Sequence, residues 1–160
     1  MIAYSDPVFY GSLARRALEN GCSDRIYDAD IETPDFKVTI DGAEASIESL
    51  VHRGMYNDGR WGGNAYANRY AEYFHTDFGL IQIDNPNPVE DKDVLIVGDS
   101  YTNCMERFLA CEFATTYVLD PRHDSRSIDE FLEEHKGISD VVFIMRSTNF
   151  LSDRTREALS

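Results

Sequence analysis

Three short stretches carry the residue types that could do chemistry. Gly98-Asp99-Ser100 offers a hydroxyl beside a carboxylate. Asp120-Pro121-Arg122-His123 offers a carboxylate, a guanidinium and an imidazole, and Arg146-Ser147-Thr148-Asn149 a guanidinium and an amide. A serine hydroxyl becomes a nucleophile when a base takes its proton and a carboxylate orients that base. The oxyanion that forms then needs N–H donors. Ser100, Asp120, Arg122, His123, Arg146 and Asn149 would supply such a set if the fold brought them to one crevice. Other readings stay open. At a strand-to-helix turn Ser100 also suits an anion-binding group or an N-cap. Arg122 and Arg146 suit an anionic ligand or, equally, pairing with local aspartates.

The elements that must position these residues are read from periodicity. Val94 to Val97 is a continuous apolar run bounded by charge and by Gly-Asp-Ser, as in a strand buried on both faces. Met105, Phe108, Leu109 and Phe113 follow at helical spacing, so Ser100 falls where strand passes to helix. Thr115 to Leu119 and Val141 to Met145 read as two more buried strands. Ser127 to Glu130 fits a capping box, followed by Ile128, Phe131, Leu132 and His135 on one helix face, and Gly137 stops that helix. A last short helix is expected after Ser152. Leu80 to Asp84 reads as a strand broken by Asn85-Pro86-Asn87-Pro88. This order predicts an α/β fold: a three-layer α/β/α, doubly wound, mainly parallel sheet with ligands at the carboxyl ends of its strands.

Upstream, Leu13 to Leu18 reads as a short helix, with Ser12 as its N-cap. Phe36, Val38 and Ile40 alternate with Lys37 and Thr39 in a half-exposed strand turned by Asp41-Gly42. Ala43 to Val51 fits helix or strand equally. Residues 52–68, rich in Gly, Asn and Tyr, read as a long loop. Tyr66, Tyr70, Tyr73 and Phe74 then form an aromatic stripe that suits core better than a ligand site.

The chain is long enough for one domain with a real core, and at 42% apolar and 12% aromatic it is not a disordered chain. The net charge of −14 excludes nucleic acid and anionic lipid as natural partners. Cys22, Cys104 and Cys111 lack metal-ligand spacing and read as buried thiols, so no metal or cofactor is expected. No window approaches a membrane span, and the start lacks a basic-plus-apolar signal.

Gly98-Asp99-Ser100 at the end of the first strong strand resembles the nucleophile motif of SGNH (GDSL-like) hydrolases. The wider stretch from Val94 to Asn103, with Phe108-Leu109-Ala110 and Val118-Leu119-Asp120-Pro121-Arg122, resembles the bacterial DHHW-motif proteins, relatives of the alginate O-acetyltransferase-like group. Tyr73-Phe74, Gly79-Leu80-Ile81 and Phe9-Tyr10-Gly11-Ser12 resemble that group too. The resemblance covers most of the chain and is strongest over residues 70–150. It implies one SGNH-like domain over residues 1–160. It also implies Ser100 as nucleophile in hydrolysis or transfer of acyl esters, often acetyl groups on polysaccharide outside the cytoplasm. Asp99, His123 and Asp120 join Ser100 as catalytic candidates. Gly98, Tyr101, Asn103, Arg122, Arg146 and Asn149 are the oxyanion or substrate-binding candidates.

The chain departs from that family at the base. The family carries Asp-x-His within Asp-His-His-Trp ahead of the serine. The nearest match here, Asp58-Gly59-Arg60-Trp61, lacks both histidines. Either the chain is the C-terminal part of a longer protein or its triad is incomplete. His123, three residues after Asp120, has the Asp-x-x-His spacing of other SGNH enzymes, though those carry it near their C-terminus. His75 is a weaker substitute, His135 reads as structural and His52 is uninformative. A non-catalytic carbohydrate-binding or scaffold domain competes with the enzyme reading. A flavodoxin-like flavin-binding domain is a third, without a phosphate-cradling glycine loop.

Overall fold

The computed structural model describes residues 2–9, 24–29, 31–51, 69–74 and 76–159. The expected helix at Leu13–Leu18, the loop at 52–68 with its Asp58–Trp61 match, His52 and His75 lie outside them. The chain divides into two units, Met1–Glu32 with Val51–Thr76 and Thr33–Leu50 with Asp77–Ser160. In the first, β1 (Ile2–Phe9) pairs antiparallel with β2 (Asp24–Asp28). The short helix α1 (Arg69–Phe74) sets Tyr70 against Phe74 at a tilt of 47° and Tyr73 edge-on to Phe74. Tyr73 and Phe74 are buried, as a core stripe should be.

The second unit is built on one six-stranded sheet. Its strands are β3 (Lys37–Ile40), β4 (Ala43–Ala45), β5 (Leu80–Asp84), β6 (Glu90–Gly98), β7 (Phe113–Leu119) and β8 (Ile138–Ile144). They lie in the order β4-β3-β5-β7-β6-β8. β6 runs parallel to both β7 and β8, as the α/β reading expects, while β4, β3 and β5 extend the sheet antiparallel. The reversal at β5 follows from its link to β6. Residues 85–89 are too few for the crossover that a parallel connection needs. Asp41 and Gly42 both take positive φ, 48° and 82°, which is the hairpin turn between β3 and β4. The undecided stretch after it is strand β4 and then a 3-10 turn at Ile47–Ser49.

Both faces of the sheet are covered, giving three layers. One face packs Val38, Ile81, Ile83, Val94, Ile96 and Val118 with Leu109 and Ala110, which belong to or flank helix α2 (Glu106–Leu109). The other packs Leu95, Val97, Tyr117 and Leu119 under Ile128 and Phe131 of helix α3 (Ile128–Glu134). The capping box that starts α3 is formed in full by Ser127 and Glu130. His135 is structural: its ring stacks on Phe131, and its Nδ1 lies 2.9 Å from the Phe131 carbonyl. Beyond β8 follow α4 (Ser147–Phe150) and α5 (Asp153–Ala158), the latter capped by Ser152 as expected.

Two expectations are corrected. The helix after Ser100 is one turn long, begins after Met105 and does not reach Phe113, which opens β7. Asn85, nearly buried, donates from Nδ2 to the carbonyls of Ala110 and Cys111 at 2.9 and 3.1 Å. It thereby satisfies the carbonyls at which the helix stops. Ser100 is therefore not its N-cap. The third parallel strand, β8, is not buried: Val141, Val142 and Phe143 are 38%, 41% and 40% exposed.

Candidate active site

The parallel register sets the site. Val97 of β6 stands opposite Leu119 of β7, and Gly98 stands opposite Ile144 of β8. With neighbouring strands about 5 Å apart, the chain leaving β6 at Asp99-Ser100 runs between Asp120–His123 on one side and Arg146–Asn149 on the other. All three predicted stretches thus meet at one end of the sheet.

Asp99 builds the turn that carries Ser100. It is 2% exposed. Its Oδ1 accepts the Tyr101 N–H at 2.9 Å. Its Oδ2 accepts the Arg146 N–H at 2.9 Å and the Asn149 Nδ2 at 2.7 Å. The Asp99 carbonyl accepts both the N–H and the hydroxyl of Thr102. One carboxylate thus closes the turn and ties the end of β6 to the start of α4. Gly98 lets the turn fold back so closely: a Cβ there would lie 2.3 Å from Thr102 Cγ2. These contacts give Asp99 and Gly98 positioning work, and they engage the Tyr101 N–H that the oxyanion reading assigned to a ligand. Ser100 itself is half-buried.

The other wall is an ion-pair cluster. Arg122 lays Nε on both oxygens of Asp120, at 2.9 and 3.1 Å, and Nη2 on Asp120 Oδ2 at 2.5 Å. The same Nη2 reaches Asp77 Oδ2 at 2.9 Å. Hydrogen bonding to Asp120 holds the Arg122 proton more tightly than usual; burial opposes this, and the charges of Asp120, Asp77 and Asp99 reinforce it. Asn103 Nδ2 stands 3.5 Å from Asp77 Oδ1, linking the turn after Ser100 to this cluster. His123, about half exposed, places Nε2 3.8 Å from Asp77 Oδ2. The carboxylate facing His123 is therefore Asp77, whereas Asp120 is taken up by Arg122. Arg122 follows the local-aspartate reading. Among the described residues Arg146 pairs with no carboxylate; its backbone anchors it. Asn103 and Asn149 each commit one amide hydrogen to a carboxylate and keep a second.

Asp77 went unnoticed in the sequence. Antiparallel pairing of Leu80 with Leu119 sets the residues before β5 beside those after β7. The Asp120 N–H accordingly bonds the Gly79 carbonyl, and a Cβ at Gly79 would meet the His123 carbonyl at 3.2 Å. The signal was available only through that strand direction. Asp77, Asp120 and His123 also have ligand atoms within 4.8 Å of one another, as a metal site would. The Arg122 guanidinium already pairs both carboxylates and serves as the cation of the cluster.

No family model matches the chain, and no curated protein matches it in sequence. Solved structures do. Bacillus cereus PatB1 carrying a sulfonyl adduct aligns with TM-score 0.64 and 21% identity, over 84% of this chain and 43% of that one. A second structure of Bacillus cereus PatB1 aligns with TM-score 0.59 and 24% identity, over 84% and 46%. A DHHW family protein from Eubacterium siraeum aligns with TM-score 0.64 and 20% identity, over 94% and 49%. The chain shares their fold. It spans less than half the length of each, and the fold is what such identities establish. Among the described residues no helix is long and apolar enough to cross a membrane.

Proposed function

We propose that the second unit is an SGNH-like serine esterase or O-acetyltransferase acting on acyl, chiefly acetyl, esters of carbohydrate, with Ser100 as nucleophile. The observation that carries this is Ser100 on a turn locked by Asp99 at the carboxyl end of the middle parallel strand, between two polar walls. The shared fold with PatB1 adds support, because a sulfonyl adduct is what an activated nucleophile forms with an electrophilic sulfur.

In this reading Ser100 Oγ attacks the ester carbonyl carbon while its proton passes to His123. The carbonyl electron pair moves onto oxygen, where the second N–H groups of Asn103 and Asn149 receive it. On collapse the C–O bond to the sugar breaks, and the departing oxygen takes the proton back from the imidazolium. The acyl group remains on Ser100 until water or another hydroxyl repeats the sequence. Asp77 orients His123, and Arg122 holds Asp77 and Asp120 in place.

The test is release of aryl alcohol from an aryl acetate and of acetate from O-acetylated oligosaccharide. The reading expects both activities, expects Ser100→Ala to remove them, and expects His123→Gln to lower them about 10²–10⁴-fold. A folded protein inactive on both, or active after Ser100→Ala, contradicts it. One observation favours a second reading, a non-catalytic carbohydrate-binding domain: the 3.8 Å gap from His123 to Asp77 exceeds hydrogen-bond length. Glycan binding that survives Ser100→Ala without esterase activity would establish that alternative.

A further inference from the structure

The segment after β8 starts on one side of β6 and is tied down on the other. β7 and β8 flank β6, so their carboxyl ends stand about 10 Å apart with the end of β6 between them. On the β8 side, the Arg146 N–H and the Asn149 side-chain amide donate to Asp99 Oδ2 at 2.9 and 2.7 Å. On the β7 side, Arg154 in α5 donates from Nη1 to the Arg122 carbonyl. The chain from Arg146 to Arg154 therefore crosses from the β8 side to the β7 side, past the turn that carries Ser100.

This crossing is stiff within itself. The Phe150 N–H donates to the Arg146 carbonyl and the Ser152 N–H to the Asn149 carbonyl, both at 3.0 Å. Thr155, fully buried, donates its hydroxyl to the Asn149 carbonyl at 2.8 Å and its N–H to Ser152 Oγ at 3.3 Å, which joins α5 to α4. The two ties to the sheet are unequal. The first shares a buried carboxylate between two donors, and bonds to a charged acceptor out of water are strong. The second is one contact at the surface, from an exposed side chain to a neutral carbonyl, and water can replace it at little cost. Leu151, at the bend between α4 and α5, is exposed, so little burial resists movement there. The loop that receives Arg154 does not depend on it. The Arg122 N–H donates to Asp120 Oδ1, and the His123 and Asp124 N–H groups donate to the Asp120 carbonyl, all at 2.9 Å.

We propose that residues 146–158 are a strap across the mouth of the Ser100 crevice, hinged at Asp99 and latched by Arg154, and that the latch decides how large an ester the crevice admits. Latched, the strap passes small esters and chain ends; released, it passes the interior of a carbohydrate polymer. Arg154 is a positioning residue: it acts through the strap and leaves His123 where the Asp120 turn holds it. The proposal rests on the reading of Ser100 as the ester site.

Two measurements on Arg154→Gln test this, one of them independent of catalysis. In a Ser100→Cys protein whose Cys22, Cys104 and Cys111 are replaced by serine, the thiol is alkylated with iodoacetamide and with a polyethylene-glycol maleimide. Losing one surface hydrogen bond should raise the bulky-to-small rate ratio about 5-fold. With Ser100 present, kcat/KM on an O-acetylated polysaccharide should rise by a similar factor through KM, while kcat/KM on an aryl acetate stays within about twofold. Arg154→Lys, which keeps a donor, should fall between wild type and Arg154→Gln in both. An unchanged alkylation ratio overturns the strap, as does an equal change on both esters or an Arg154→Gln protein that cannot fold. A raised alkylation ratio in a protein that hydrolyses neither ester supports the strap and refutes the esterase reading alone.

Discussion

Replacing Asp99 with asparagine changes one atom and tests the turn on which the site depends. The carboxylate accepts three hydrogen bonds, from Tyr101 N, Arg146 N and Asn149 Nδ2, while 2% exposed. An asparagine oxygen can serve one side of that arrangement, and its NH₂ then faces a donor. One buried N–H is left unpaired, at about 1–3 kcal/mol, and the surviving bonds fall from charged to neutral strength, a loss of about 1 kcal/mol each. Relief from burying a charge offsets part of this. The net expectation for Asp99→Asn is a loss of about 2–4 kcal/mol. Urea unfolding with an unchanged slope should show it as a lowered midpoint. Asn149→Ala, which removes one of the three bonds, should cost about 1–2 kcal/mol and be clearly non-additive with Asp99→Asn. A loss under about 0.5 kcal/mol for Asp99→Asn would refute the reasoning.

Other variants probe the rest of the site. Gly98→Ala sets a Cβ 2.3 Å from the Thr102 methyl, whose rotamer is fixed by bonds from the hydroxyl to the Asp99 carbonyl and the Glu106 carboxylate. It should cost about 1–3 kcal/mol. Thr102→Ser, which removes only the methyl, should recover most of that in the same unfolding assay. Arg122→Met leaves Asp120 buried without its cation and should cost about 2–3 kcal/mol by thermal unfolding. Arg122→Lys should not restore it, because one ammonium cannot span both oxygens of Asp120 and reach Asp77. Asp124 is held below its ordinary carboxylate pKa first by the Arg126 side-chain hydrogen bond, against the effect of burial. A depressed carboxylate stabilises above its unfolded pKa, and that contribution disappears as pH falls through the folded one. Asp124→Asn should therefore flatten stability against pH below about 4, by under about 1 kcal/mol for a pair this near solvent. An unchanged acid limb would contradict the pairing.

What could be read from the residues was local. The run Val94–Val97 is apolar, Thr115–Leu119 ends in Tyr-Val-Leu, both are the right length for interior strands, and both lie in strands that supply the core. The Ser127–Glu130 box depends on residues three apart, and it forms as read. Contributions from distant chain were hidden. Phe113 kept helical period with Phe108 and Leu109, but Asn85, far upstream, ends the helix and leaves Phe113 to the strand. Asp77 entered the site through the antiparallel direction of β5, which its own sequence does not reveal. An apolar run such as Val141–Ile144 fits a strand but says nothing of what covers it. The three strand-end stretches come to one end of the sheet because a parallel register aligns them. Which carboxylate faces His123 needed side-chain geometry, since Asp120 lies within three residues of both Arg122 and His123 along the chain.

The account rests on Ser100 being an activated nucleophile, and covalent labelling reads that most directly. Incubation with a fluorophosphonate, followed by digestion and mass measurement, should place one phosphonyl group on the peptide containing Ser100, and Ser100→Ala should abolish it. Intact, folded protein that takes up no label, or takes it up elsewhere with Ser100 unmodified, would contradict the account.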